Sequence, residues 1–243
     1  MTRPVIEAAE VVKFLGEGPG KVQALKGVSL SLEPGELTLL MGPSGSGKTT
    51  LLSILGCILT PSEGAVRVCG QSTAGLRAED LAKLRRERIG FIFQSYHLFP
   101  TLTAVDNVRL ALDVRGDRAP FAATRAATAL ANVGLAHRIN AFPTQLSGGE
   151  QQRVAIARAI VGDAAIILAD EPTASLDGEN GHSIMTFLAE IAKSSERGVL
   201  VVTHDPRILP FANRVVRIED GKIIGEERLA RETKTKRMAS VGL

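Results

Sequence analysis

LTLLM at 37–41 runs straight into GPSGSGKTT at 42–50, and that junction narrows the possible folds more than any other stretch of the chain. It fits G-x-x-x-x-G-K-[ST], which needs a strand that ends, a tight loop and a helix that begins. Glycines let such a loop curl so that successive backbone N–H groups point at phosphate oxygens, and the helix N-terminus adds positive potential. Gly42, Pro43, Ser44, Gly45, Ser46, Gly47, Lys48, Thr49 and Thr50 are therefore expected to wrap a nucleoside triphosphate. Lys48 is placed to reach β- and γ-oxygens as a point charge, and the Thr49 hydroxyl to ligate Mg²⁺.

A strand feeding such a loop belongs to an α/β sheet, and the rest of the sequence agrees. Apolar runs FIF (91–93), AIILA (165–169) and VLVVT (199–203) alternate with helical patterns, as in a mostly parallel sheet covered on both faces. VQALKGVSLSL and AVRVCG read instead as short strands of period two, a small antiparallel β layer towards the N-terminus. Between about 95 and 162 only helical segments occur, with Thr103 and Asp106 placed to cap the first, so a helical subdomain is expected to be inserted in the core. One domain over 1–230 results, followed by a basic, solvated tail at 231–243.

Composition sets the outer bounds. The 243 residues suffice for a sizeable core, and 44% hydrophobic with 23% charged residues is ordinary for a globular chain. No apolar run reaches the roughly 18 residues a membrane span needs, and MTRPVIEAAEVVKF has acids where a signal peptide has its apolar stretch. Cys57 and Cys69 are expected to be two small buried apolar residues in a reducing compartment. A net charge of +3 suits an anionic ligand or a membrane surface without demanding nucleic acid.

Three further strand ends carry chemistry. AIILADEPTASLD puts Asp170 and Glu171 at the carboxyl end of a buried strand, where open α/β sheets border their ligand. Asp170 suits Mg²⁺, and Glu171, one residue on, could accept a proton from an attacking water. His204 follows VLVVT; it could donate to a γ-phosphate or hold Glu171 and the water in line, and it equally fits a structural role. Gln94 closes IGFIFQ and could ligate Mg²⁺ through its amide oxygen. LSGGEQQR at 146–153 contains a capping box, Ser147 with Glu150, so it fits an ordinary helix start. Gly148 and Gly149 in addition let another group come close to the main chain, as at a second anion site.

GPSGSGKTT, Gln94, LSGGEQQR, ILADEP, SLD and His204 stand in the order found in ATP-binding-cassette ATPases, a family the chain resembles over about residues 5–230. The resemblance implies an ATPase of the P-loop fold whose copies pack head to tail. ATP held by one copy would then be covered in trans by Ser147, Gly148, Gly149 and Glu150 of the other. It implies that Asp177 links the two pockets, that His204 senses the γ-phosphate, and that Gln94 is a switch beside the surface that meets a membrane partner. Phe14 stands where the family stacks an aromatic on adenine, which implies weak base selectivity and measurable use of GTP. A separate transmembrane permease, a place on the cytoplasmic face of the inner membrane and no nucleic-acid partner are also implied. GKVQALKGVSLSLEPGE and LRRERIGFIFQSYHLFPTLTAVDNV look most like lipoprotein-release and macrolide-efflux members. Amino-acid importers, membrane-docked regulators and soluble non-transport cassettes are the alternatives.

Overall fold

The computed structural model describes residues 3–117, 121–195 and 197–229. In chain order the elements are β1 (Ile6–Leu15), β2 (Val22–Leu32), β3 (Leu37–Met41), α1 (Lys48–Leu55), β4 (Glu63–Val68), β5 (Gln71–Ser72), α2 (Ala78–Arg88) and β6 (Ile89–Ile92). They continue with α3 (Ala104–Arg115), α4 (Ala122–Asn132), α5 (Gly148–Ile160), β7 (Ile166–Asp170), α6 (Gly178–Ser195), β8 (Gly198–Thr203), β9 (Arg214–Glu219) and β10 (Lys222–Arg228).

Two sheets form. The central six-stranded sheet has the order β10-β9-β3-β8-β7-β6, parallel throughout except for β10, which pairs antiparallel with β9. The other is antiparallel, in the order β2-β1-β4-β5. Side chains alternate across each central strand. Leu39, Ile167 and Val201 face one core, built with α3, α4, α5 and α6. Leu40, Leu168 and Val202 face the other, built with α1 and the antiparallel sheet. Burial on both faces explains why LTLLM and VLVVT read as unbroken apolar runs.

Register positions the site. Met41 lies opposite Thr203 and Asp170 opposite Val202, so β3, β7 and β8 end together. Chain segments leaving those ends converge on one edge of the sheet. Residues 95–162 hold helices and no strand among those described, and Thr103 caps α3 as its spacing implies, accepting from Asp106 N at 3.3 Å.

Several expectations need correction. The strand expected at FIF is shifted to Ile89–Ile92, leaving Phe93 in the loop beyond it. β1, β9 and β10 were not legible as central or edge strands. In β1 the register shifts between Ala8 and Val11 and again between Lys13 and Phe14, which breaks the period of two. In β9 the first residue is Arg214, 3% exposed, its guanidinium donating to Ser31 O at 2.9 Å and to Glu226 Oε2 at 2.8 Å. Cys57 is buried as expected, with burial pushing its thiol up to about 11, but Cys69 is exposed. Cys69 has φ 48° and opens the turn from β4 to β5, so the chain reverses there at the surface. The basic tail at 231–243 lies outside the described residues.

Candidate nucleotide site

The loop after β3 is shaped by Gly47, whose φ of 98° turns the chain into α1 at Lys48. Lys48 folds back over the loop, its Nζ donating to Gly42 O and Pro43 O at 2.7 Å each. Burial lowers its pKa, while the carboxylates of Glu171 and Asp170 raise it. The Ser46 hydroxyl is buried there without a hydrogen-bond partner, a polar group that a phosphate oxygen would satisfy.

This loop floors a cleft of about 650 Å³. Ser44, Gly45, Gly47, Lys48, Thr49 and Thr50 line one wall, and Gln94, Asp170, Glu171 and His204 line another. Burial raises the Asp170 pKa; the Thr49 hydroxyl opposes that by donating to it, and the Glu171 charge adds to it. Glu171 takes φ 47°, a left-handed conformation that costs a non-glycine residue about 1–3 kcal/mol. Its N–H donates to Val202 O at 3.0 Å, which ties the turn to β8. Its Oε1 lies 2.7 Å from His204 Nδ1. An acid and an imidazole predicted from separate strand ends are thus in direct contact.

Among the described residues no group of three or more His, Cys, Asp or Glu is placed to hold a metal. A cation here must draw most ligands from phosphate and water, which is how Mg²⁺ binds beside one carboxylate and a hydroxyl. Thr49, Asp170 and Gln94 fit that pattern, since a divalent cation would also offset the paired charge of Asp170 and Glu171.

Other expected residues lie outside this cleft. Phe14 does not line it; Leu15 and its cross-strand partner Val22 do, with Gln23 and Ala24. The Phe14 ring sits instead under Lys21 Nζ, 4.3 Å from its centroid. The start of α5 is likewise apart from the loop that holds Lys48. Ser147 N donates to Glu150 Oε2 at 2.8 Å and Ser147 Oγ accepts from Glu150 N at 3.3 Å, completing the capping box. Arg138 takes the other oxygen of Glu150 at 3.1 Å, so both carboxylate oxygens are engaged within the chain. Asp177 accepts from the Asn180 N–H and side-chain amide at 2.8 Å each, and these bonds hold its pKa low.

The glycine pair is crowded, not open. A Cβ on Gly148 would come within 2.9 Å of the Tyr96 hydroxyl, and one on Gly149 within 3.0 Å of the Asn180 side chain. Sequence reasoning passed over Tyr96, Asn180, Leu15 and Val22. Tyr96 is the single tyrosine of the chain, which was the one available signal.

A phosphate-binding loop on a central strand, with a half-buried acid pair and an imidazole at the neighbouring strand ends, defines a P-loop nucleoside triphosphatase. Comparison with known proteins refines this. The family model described as ABC transporter matches residues 25–174. The chain is 44% identical over 226 residues to the macrolide export ATP-binding/permease protein MacB of Hyphomonas neptunium, covering 93% of this chain and 35% of that protein. It is 43% identical over 228 residues to the protein of the same name from Bradyrhizobium diazoefficiens, covering 94% and 35%. The chain therefore spans about a third of the length of these relatives. Among solved structures, the dimeric post-hydrolysis state of the ATP-binding cassette MJ0796 bound to ADP and Pi matches with a TM-score of 0.86 at 41% identity, covering 93% of this chain and 99% of that one. CbiO1 from Clostridium perfringens, part of the transporter complex cbiONQ, matches with a TM-score of 0.83 at 28% identity, covering 93% and 88%. The chain belongs to the ABC transporter family, and it is an ATP-binding cassette with ATPase activity.

Proposed function

We propose that this cassette drives a membrane transporter of the exporter type, and that two copies pack head to tail to build its ATP-hydrolysing pockets. The observation that carries the reading is a division within one chain. The lysine, the acids and the histidine line the cleft, while the capped start of α5, Ser147–Glu150, does not line it and leaves its first N–H groups without helical partners. Each half needs the other half of a twin. A related cassette of 41% identity has been solved as a dimer, which supports the arrangement.

Within one pocket, Lys48 and the loop N–H groups hold the β- and γ-phosphates, and Ser147 and Gly149 of the twin cover the γ-phosphate. Mg²⁺, when bound through Thr49 and Asp170 with Gln94 beside them, supplies positive charge against the transferring phosphoryl group. Glu171 accepts the proton of the attacking water as its oxygen bonds to the γ-phosphorus and the bond to the bridging oxygen breaks, leaving ADP with the electron pair. His204 fixes the Glu171 carboxylate from the side, with its second ring nitrogen available to the γ-phosphate. Phe14 would have to leave Lys21 to reach the base, so Leu15 and Val22 are the residues in place to pack on it. Asn180, held by Asp177, packs beside Gly149 at the helix start.

The γ-phosphate bridges two copies and ADP alone does not, so closure is favoured until the phosphate released by hydrolysis leaves. Opening and closing would move a transmembrane permease, with the helical block 95–162 as the arm that carries Ser147. Among the described residues no helix is long and apolar enough to cross a membrane. A peripheral place on the cytoplasmic face of the inner membrane follows from that partner. The relatives named for macrolide export favour an exporter over an importer or a regulator.

Glu171→Gln tests the chemistry. Turnover should fall about 10²–10⁴-fold with ATP affinity retained. Unchanged phosphate release in that variant would remove Glu171 from the role.

A further inference from the structure

The loop that leaves β6 is hydrogen-bonded to one end of α5 and packs against the other. Beyond Gln94, Tyr96 and His97 have φ of 59° and 48°, two consecutive non-glycine residues in the left-handed region. Such a pair persists only where its surroundings enforce it. Arg158, near the end of α5, does so: Nη1 donates to His97 O at 2.6 Å and Nη2 to Tyr96 O at 2.7 Å. Phe93 stacks on the His97 ring at 4.7 Å and closes the loop from the strand side. The Tyr96 side chain reaches the opposite end of the helix, where its hydroxyl crowds Gly148. Gly148 and Arg158 are about 15 Å apart along the axis, so the loop lies against most of α5 as a splint.

We propose that Tyr96 and Arg158 are positioning residues that lock the Gln94 loop to α5, so that the contents of a chain's own cleft set how it presents Ser147–Gly149 to its twin. This rests on the composite pocket proposed above. Gln94 lines the cleft, and a shift of its loop on nucleotide entry is carried by both contacts to both ends of a stiff helix. A broken lock leaves a chain's own cleft intact and misplaces what it offers to the other copy. The damage therefore falls on the partner's pocket.

Arg158→Lys keeps the charge and loses the planar fork that grips two carbonyls at once. Limiting wild-type chain is mixed with excess chain carrying Arg158→Lys and Glu171→Gln, so that the hydrolysing pocket pairs a wild-type cleft with an altered helix start. In the converse mixture, limiting Arg158→Lys chain meets excess Glu171→Gln chain. Relative to limiting wild type with excess Glu171→Gln, turnover should fall about tenfold or more in the first mixture and stay within about twofold in the second. Equal losses in both, or none in the first, overturn the proposal. Gly149→Asp in the excess chain separates the two levels: if it too leaves the limiting chain at full speed, the composite pocket itself fails. A second measurement covers Tyr96. Tyr96→Ala in the excess chain, beside Glu171→Gln, should lower turnover of limiting wild type, whereas Tyr96→Ala in the limiting chain should leave it within about twofold. No loss in the first mixture, or equal loss in both, removes Tyr96 from the lock.

Discussion

The surroundings of Asp170 disfavour its ionised form, because burial and the neighbouring Glu171 charge raise its pKa. The folded chain thus holds that proton to higher pH than the unfolded chain does. Stability falls as pH rises through the window between the two pKa values, and the whole cost is present above it. Asp170→Asn should therefore raise the melting temperature of the nucleotide-free protein at pH 7. The gain should shrink below about pH 4, where the unfolded-state carboxyl also protonates. Turnover should fall about 10²–10³-fold in the same variant. A lower melting temperature at pH 7 would show that the Thr49–Asp170 hydrogen bond outweighs the burial cost. At this scale the sequence disclosed the acids and the lysine, since a phosphate loop and a buried strand end leave few options for polar residues. Where Phe14 and Leu15 lie relative to the cleft depends on the bulged register of β1, which the local pattern does not encode.

Among the elements, β6 and α5 matter most, since the loop leaving one carries Gln94 and the other begins at the signature. They pack so closely that a Cβ on Gly90 would run into the Ala159 carbonyl and come within 2.9 Å of Ile167 Cδ1. Gly90→Ala should destabilise the chain by about 1–3 kcal/mol through overpacking, seen as a lower midpoint in urea with an unchanged slope. An unshifted midpoint would mean that the two elements have slack between them. The long runs LTLLM and VLVVT disclosed their strands because burial on both faces leaves only apolar residues. RVVRIE did not, because Arg214 looks like a solvated charge until Ser31 and Glu226 are brought to it across the fold. The start of α5 was legible as a capping box from Ser147 and Glu150 alone, since that bond pattern is local.

For the molecule as a whole, the two helix N-termini that suit phosphate belong to different places in one chain, and the proposed pairing of two copies would join them. Saturating Mg·ATP at about 100 times its Kd should stabilise Glu171→Gln by about 2.7 kcal/mol through mass action alone. Closure by ATP should in addition make its melting temperature rise with protein concentration, whereas ADP should give a midpoint independent of concentration. Concentration-independent melting in ATP would argue against a nucleotide-bridged dimer. By itself the sequence determined the α/β fold, the phosphate loop, the strand-end acids and the capped signature helix, because each depends on residues close in the chain or on burial that only apolar side chains tolerate. Only the tertiary structure decided that His204 meets Glu171, that Leu15 and Val22 line the cleft, that Cys69 is exposed, and that Tyr96 and Asn180 fill the space beside the glycine pair. Those outcomes depend on register, bulges and contacts between distant segments, which local periodicity does not encode.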